Sequence, residues 1–168
     1  MTGRSPAADD DAERRALTGF LAAQRGAVLA VLDGLDEAAL ATAVLPSGWT
    51  PAGLVEHLGF AERHWFQEVL LGAADPLPWP DDGTPLRTSH PAAVAFAFYA
   101  DQCARADGIV AGLPLDTVPA GRHPGPLGEE TTDLRRILLH MIEETARHAG
   151  HLDVVRELLD GRTGLGPR

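Results

Sequence analysis

The stretch HMIEETARHAGHLD, residues 140–153, places three histidines and two glutamates inside a segment whose apolar spacing is helical. At the ~100° per residue of an α-helix, the apolar side chains fall in one narrow sector that also contains Glu144 and His148. The apolar members of the sector are Leu134, Ile137, Met141, Leu152, Val155 and Leu159. On one shoulder of it lie three further polar residues, His140, Arg147 and His151. Because Glu143 points away from the sector, we expect it to be solvated, whereas Glu144 and His148 face the interior.

The rest of the chain predicts three more long helices and no sheet, because no strand-like alternation extends over a useful length. Thr50 is a suitable N-cap and Pro51 suits the first helical turn, which gives the second helix a clear start. The four predicted helices cover residues 9–33, 50–71, 90–112 and 132–160, with a margin of ~4 residues at each end. This pattern indicates an all-α protein, a four-helix bundle of one domain over residues 1–168 with residues 1–8 as a disordered tail.

Apolar stripes predict the buried faces of the first two helices. The stripe of the first helix consists of Leu17, Phe20, Leu21, Gln24, Val28 and Val31 or Leu32. The stripe of the second helix consists of Leu54, Leu58, Ala61, Trp65 and Val69. His57 lies on the edge of the second stripe, where it could reach a neighbouring helix, and His64 lies farther round.

Two long connections, residues 73–89 and 113–131, are too rich in proline and glycine for regular structure. Loops of this length in a compact domain often border functional sites. We therefore expect both to lie over one end of the bundle and to help shape a cleft. His90 and His123 belong to these segments, and we expect them to be solvated.

Composition and charge exclude several classes of function. The formal net charge of −10 would repel a phosphate backbone, so nucleic acid is not an expected partner. No apolar run approaches the ~20 residues that cross a bilayer, and the N-terminal stretch lacks the apolar core of a secretory signal. We therefore expect a cytoplasmic protein without a membrane segment. Cys103 is the only cysteine, which excludes an intrachain disulfide, and in a helix it is expected to be a small buried apolar group.

Glu144 and His148 are four residues apart, so their side chains lie on adjacent turns and can reach a common point. A buried carboxylate needs a hydrogen-bond partner, a cation or water. With His57 from the second helix, the pair would form a three-ligand metal site of the kind that holds catalytic Zn²⁺ or Fe²⁺. The alternative is a hydrogen-bonded core histidine and a partly exposed Glu–His pair that contributes little.

Two stretches resemble the DinB-like superfamily of four-helix bundles. The first is PSGWTPAGLVEHLGFAERHWF, residues 46–66, in which Gly-Trp-Thr precedes a His-Leu pair. The second is LLHMIEETARHAGHLDVVRELLDG, residues 138–161, which carries Glu-x-x-x-His. It is similar to the subfamily that includes mycothiol-dependent enzymes such as maleylpyruvate isomerase. The resemblance implies that His57, Glu144 and His148 are metal ligands.

The same resemblance implies a divalent metal, with zinc as the expected ion, and a low-molecular-weight thiol of the mycothiol type as cosubstrate. The reaction would be an S-transfer to, or an isomerisation of, a small electrophile, and the cosubstrate rather than Cys103 would supply the nucleophile. Arg147 and His151 could bind an anionic thiol cosubstrate or orient a ligand, or they could equally cap or pair on the surface. His140 and His64 could line the site. The competing interpretation is a metal-binding bundle without catalysis, and a homodimer stays open in either case. A ferritin-type di-metal site is excluded because the chain lacks Glu-x-x-His on paired helices.

Overall fold

In the computed structural model, which describes residues 6–75, 79 and 86–163, all regular structure of the described residues is helical. In chain order the helices are α1 (Pro6–Leu32), α2 (Glu37–Leu40), α3 (Pro51–Arg63), α4 (Ala92–Gly112), α5 (Pro126–Glu130) and α6 (Leu134–Asp160). α3 continues directly into a π-helical segment, π1 (His64–Leu70). The predicted all-α bundle is confirmed, and the ends of its four long helices fall within the predicted margin.

Three short features were not predicted. α2 is a single turn that begins after Asp36, whose carboxylate accepts a hydrogen bond from the Ala39 N–H at 2.8 Å. α5 interrupts the connection before α6, and π1 replaces the last turns of the second predicted helix. The first five residues of the predicted tail lie outside the described residues, and α1 already includes residues 6–8.

Side-chain contacts define an up–down–down–up order of the long helices. α1 and α6 are parallel, because Arg135 binds Glu13 near their starts and Arg156 donates to the Val31 carbonyl near their ends. α3 with π1 is parallel to α4, since Gly59 packs against Phe98 and Tyr99, and farther along Gln67 donates to Gln102 at 2.7 Å. A connection between parallel neighbours has to return along the length of the bundle.

The predicted position of the first long loop is wrong for this reason. Ala73 N–H bonds the Gln67 carbonyl at one end of the bundle, whereas the Leu86 carbonyl accepts from Thr50 N–H at the other. Gly53 permits the close approach, since a side chain there would collide with the backbone of Leu86 and Arg87. The described ends of the first loop therefore lie at opposite ends of the bundle, and its residues 76–78 and 80–85 lie outside the described residues. The second loop stays at the end that contains π1.

The core consists of two apolar clusters, one at each end of the bundle, with buried polar side chains between them. Along α1, Leu21 belongs to the cluster near π1, Val28 belongs to the other, and the buried Arg25 lies between the two. The same order along the other helices places Glu62, Gln102, Thr145 and His148 at this level. The expectation that Phe20 faces the core is wrong, because its side chain is 63% exposed.

No helix in the described part of the chain is long and apolar enough to cross a membrane. A location in the cytoplasm stays a prediction. A homodimer likewise stays a prediction, since the structure contains a single chain.

Candidate metal centre

The helix caps set the phase of the two helices that carry the predicted ligands. Thr50 Oγ1 accepts a hydrogen bond from Gly53 N–H at 3.1 Å, and Pro51 occupies the first turn of α3. Asp133 caps α6 by accepting from Arg136 N–H at 2.9 Å. With both starts fixed, the middle of α6 presents its polar residues to the second turn of α3.

Three side chains converge between α3 and α6: His57, Glu144 and His148. We call them the metal cluster, after their predicted role. Glu144 Oε1 lies 3.3 Å from His57 Nε2 and 2.9 Å from His148 Nε2. Each residue offers one ligand atom, and the three atoms all lie within 4.8 Å of one another. The two imidazole rings meet edge to face, with 5.1 Å between their centroids. The structure thus brings together the three residues that the α6 pattern and the family resemblance select.

The three side chains of the cluster differ in solvent exposure, and the cluster is most open at His57. The side chain of His57 is 39% exposed, that of Glu144 is 18% and that of His148 is 10%. Hydrogen bonds from His148 and His57 hold the pKa of the Glu144 carboxyl well below its usual range, and burial opposes them. Glu144 is therefore an ionised acceptor with two nitrogen donors directed at one of its oxygens.

Two imidazole nitrogens and one carboxylate oxygen are donors that suit Zn²⁺ or Fe²⁺ in sites with open positions. The spacing of the donor atoms fits such an ion, since ligands ~2 Å from one metal lie ~3–4 Å from each other. His57 is the most exposed of the three side chains, so an ion at this position would be reached from the side of His57.

Of the flanking residues predicted on α6, His151 contacts the cluster. Its Nδ1 lies 3.4 Å from His148 Nδ1, and its ring is 6.3 Å from that of the buried Trp49. Burial, His148 and Arg147 lower the pKa of His151, so its neutral form is favoured. Arg147 itself is exposed on the same side of α6.

His64 and His140 belong to a neighbouring group rather than to the metal cluster. His64 bonds Glu68 and His123, and His140 packs on Trp65 at 4.5 Å between ring centroids. Burial lowers the pKa of His140, and the nearby Glu144 opposes this effect. The expectation that His123 is solvated is wrong, because its ring stacks on Trp65 at 4.8 Å and 26°.

His123 is the functional candidate that the sequence interpretation missed. Its segment is rich in proline and glycine and has no periodicity, so no local signal places it beside π1. His90, by contrast, packs on Trp79 at 4.3 Å and contacts neither group. A shallow depression of about 450 Å³, lined in part by Gln67, Asp75 and Arg105, contains none of the chain's histidines.

Cys103 lies on α4, away from the metal cluster. Burial raises its pKa to about 12, and the negative charge of Glu62 adds to this effect. A thiol that stays protonated is a poor nucleophile. Its environment therefore agrees with the expectation that Cys103 does not carry the reaction.

A comparison with protein-family models matches residues 16–161, most of the chain, to mycothiol-S-transferase. No curated protein and no solved structure matches the chain. The family match confirms the resemblance drawn from residues 46–66 and 138–161. Because the match covers most of the chain, the conclusion is that this chain belongs to the mycothiol-S-transferase family.

Proposed function

We propose that the protein is a divalent-metal-dependent enzyme that transfers a low-molecular-weight thiol of the mycothiol type to a small electrophile. His57, Glu144 and His148 would hold the metal, which we propose to be zinc. One observation carries this proposal: two histidine nitrogens from different helices meet one carboxylate oxygen at a partly exposed position between α3 and α6. The family match supplies the thiol.

A divalent cation at this position would bind the sulfur of the cosubstrate and favour its thiolate form, the reactive nucleophile. The protein's own contribution is to orient the donors. His148 is held by its burial, by the edge contact with His57 and by the contact with His151. In the absence of a metal, hydrogen bonds from His148 and His57 lower the pKa of Glu144 and keep it ionised, and a bound cation would favour the same ionised form.

A metal-binding bundle without catalysis is the competing function. A purely structural site satisfies its ion with protein ligands on all sides. The exposure of His57 favours open positions for a substrate, and so does the supply of three protein donors from the described part of the chain. An isomerase that uses the same thiol would need the same three ligands, so substrate screening has to separate isomerisation from transfer.

The metal site is tested by measuring the zinc content and zinc affinity of purified wild-type protein, Glu144→Gln and Glu143→Gln. Glu143 is the matched control, because it is the adjacent glutamate on α6 and is exposed. We expect about one zinc per wild-type chain, the same for Glu143→Gln, and at least ~10-fold weaker binding for Glu144→Gln. Equal affinity in all three proteins would contradict the assigned ligands.

The reaction is then tested with the zinc-loaded protein, mycothiol and a panel of alkyl halides, epoxides and α,β-unsaturated carbonyl compounds. Conjugate formation that depends on both zinc and protein supports the transferase, whereas isomerised electrophile without net thiol consumption supports the isomerase. Tight zinc binding with neither reaction would favour the non-catalytic bundle.

A further inference from the structure

A second group of polar side chains lies beside the metal cluster and is linked by short contacts. His64 Nδ1 is 2.7 Å from Glu68 Oε2, and His64 Nε2 is 2.9 Å from His123 Nδ1. Arg63 also bonds Glu68. The three residues Glu68, His64 and His123, which we call the relay, form a continuous chain from a carboxylate to a loop histidine.

The chemistry of the groups fixes the position of each proton. Glu68 is ionised, since hydrogen bonds from His64 and Arg63 outweigh burial and lower its pKa. An ionised carboxylate only accepts, so His64 carries its proton on Nδ1 and, when neutral, has a lone pair on Nε2. His123 must then donate from Nδ1. Its Nε2 carries the remaining lone pair, and none of the hydrogen bonds among the described residues engages that atom.

The fold holds the relay in place from two sides. π1 begins at His64, and π-helical turns are frequent at functional sites. The loop that carries His123 is fastened to the carbonyl groups at the end of π1, through Ala120 N–H to Leu70 at 3.0 Å and Gly121 N–H to Val69 at 2.8 Å. The stacking of His123 on Trp65 completes the support.

The relay and the metal cluster are neighbours, and Trp65 and His140 lie between them. His140 packs on Trp65, as His123 does, and it precedes Glu144 by one turn of α6. Along α3 and into π1, His64 follows His57 by seven residues, which is a rise of ~10 Å at 1.5 Å per residue. The relay is therefore too far away to contact the sulfur of a thiol bound at the metal cluster. A small electrophile could extend from that sulfur to the relay.

We propose that His123 is the acid–base residue that protonates the electrophile, with His64 and Glu68 as positioning residues, and that the preferred substrates are electrophiles whose oxygen must gain a proton. This proposal rests on the proposed transferase function. Epoxides and α,β-unsaturated carbonyl compounds belong to this class, and alkyl halides do not. His123 Nε2 is the atom that gives and takes the proton.

The proton balance of the reaction is closed. The thiol loses its S–H proton to solvent, and His123 takes up one proton from solvent on Nε2. The imidazolium is stabilised by its hydrogen bond to His64, which is in turn bonded to Glu68. The thiolate sulfur forms a bond to the electrophilic carbon. In an epoxide the C–O bond breaks and its electron pair stays on oxygen; in an unsaturated carbonyl the C=C pair shifts to give an enolate. The oxygen then takes the proton from His123, which returns to the neutral ring.

The resting state of His123 suits this role. Burial and the neighbouring His64 and His140 lower the pKa of His123, so the ring is neutral before it takes up the proton. The charged form is not isolated, because the ionised Glu68 lies at the far end of the relay. This combination is typical of acid–base histidines that act near neutral pH.

The relay is tested without any activity measurement by ¹⁵N-histidine NMR of the zinc-loaded protein. We expect His64 and His123 to be protonated on Nδ1 in the neutral state. In Glu68→Gln, His64 should lose this preference, because an amide NH₂ donates to Nδ1 as readily as the amide oxygen accepts from it. A wild-type His64 protonated on Nε2 would overturn the relay.

The role of His123 is tested by comparing two electrophiles, methyl vinyl ketone and monobromobimane, with mycothiol as the thiol. The bromide leaves without a proton, so only the ketone needs His123. We expect His123→Ala to lower kcat for the ketone ~100-fold or more, with the rate for the bromide and the zinc content unchanged. His90→Ala removes an imidazole that belongs to neither the relay nor the metal cluster, and it should change neither rate. Glu68→Gln is the second variant if His123→Ala does not fold, and it should lower kcat for the ketone alone.

The two proposals fail in different ways. Equal loss of both rates in His123→Ala, or loss of neither, would overturn the role of His123 while wild-type turnover still supports the transferase. If the wild-type protein converts neither compound although it binds zinc, the proposed transferase function is overturned, and the role of His123 with it.

Discussion

The bundle contains two glutamates at mid-height that are satisfied in opposite ways. Glu62 is fully buried, and both of its oxygens accept from Arg25, at 2.7 Å and 2.6 Å. Glu144 is partly open, and two histidine nitrogens crowd a single one of its oxygens. A guanidinium stays protonated and satisfies both oxygens of a carboxylate with two parallel hydrogen bonds. An imidazole nitrogen can instead lose its proton and give its lone pair to a cation.

The comparison teaches that burial of a carboxylate does not by itself indicate function. Arg25 and Glu62 neutralise each other, and Arg25 also bonds Asp107 at 2.7 Å, so this closed cluster fits a structural role. The cluster of Glu144 is electron-rich and lies beside open space, so it fits a cation.

Removing the carboxylate of the closed cluster should have the largest effect. Glu62→Gln leaves the buried guanidinium of Arg25 without its main partner and should lower the free energy of unfolding by about 3–5 kcal/mol. Urea denaturation followed by circular dichroism measures this change. The double variant Arg25→Met/Glu62→Leu is the control, because replacing the whole pair by apolar groups is expected to be nearly neutral. A loss in Glu62→Gln of less than about 1 kcal/mol would remove the distinction between the two clusters.

Removing a ligand from the open cluster should affect metal binding and leave the bundle folded. His148→Ala should weaken zinc binding ~100-fold or more, since even the loss of an outer-shell partner weakens binding ~10–100-fold. His90→Ala is the matched control and should bind zinc as the wild type does. Competition with a chromophoric chelator gives both affinities. An unchanged affinity in His148→Ala would show that the open cluster is not the metal site.

The closed cluster should also affect the free energy of unfolding in alkaline solution, because Cys103 and Tyr99 lie beside it. The pKa of Cys103 rises from 9.0 to about 12, and burial raises that of Tyr99 well above its usual range. Between pH 9 and pH 12 the unfolded chain has therefore lost protons that the native protein keeps. The free energy of unfolding should fall as the pH rises, by at most ~1.4 kcal/mol per pH unit for each group.

The chain has no lysine, so few other groups titrate in this range. Cys103→Ser should show a shallower fall of the unfolding free energy from pH 9 upward than the wild type, and Tyr99→Phe a shallower fall at higher pH. Urea denaturation at a series of pH values measures the slopes. Identical slopes in wild type and Cys103→Ser would mean that this region is open to solvent.

The smallest effect is expected for Cys103→Ser in the reaction itself. Because the cosubstrate is the proposed nucleophile and the Cys103 thiol stays protonated, conjugation rates should be unchanged within error. Steady-state kinetics with the zinc-loaded variant check this point. Complete loss of turnover in a folded variant would instead indicate a covalent cysteine enzyme.

Much of the candidate site was predictable because it depends on local geometry. Glu144 and His148 are one turn apart on a continuous helix, so their common direction follows from helical periodicity alone. Thr50 and Pro51 define the start of α3, and this start sets the direction of His57. The resemblance to known sequences connected the two helices, which periodicity cannot do.

The remaining features depend on contacts between distant segments. Arg25 lies between Leu21 and Val28 on the buried face of α1, so its burial could have been predicted from the α1 stripe, but its partner on α3 could not. Phe20 was expected to be buried because its residue type fits the core. Its side chain is nevertheless 63% exposed, because no described segment covers it. The relay brings a loop histidine against π1 across 59 residues of sequence.

Local sequence was enough for the helical class, the ends of the long helices, the family and the inward direction of Glu144 and His148, because each depends on residues within a few turns or on a short motif. Long-range contacts set the parallel arrangement of α3 and α4, the positions of the described ends of the first long loop, the pairing of Arg25 with Glu62 and the position of His123. Each of these is a choice among several packings that bury the same apolar stripes. The free energy that separates such packings comes from long-range contacts, which no single segment contains.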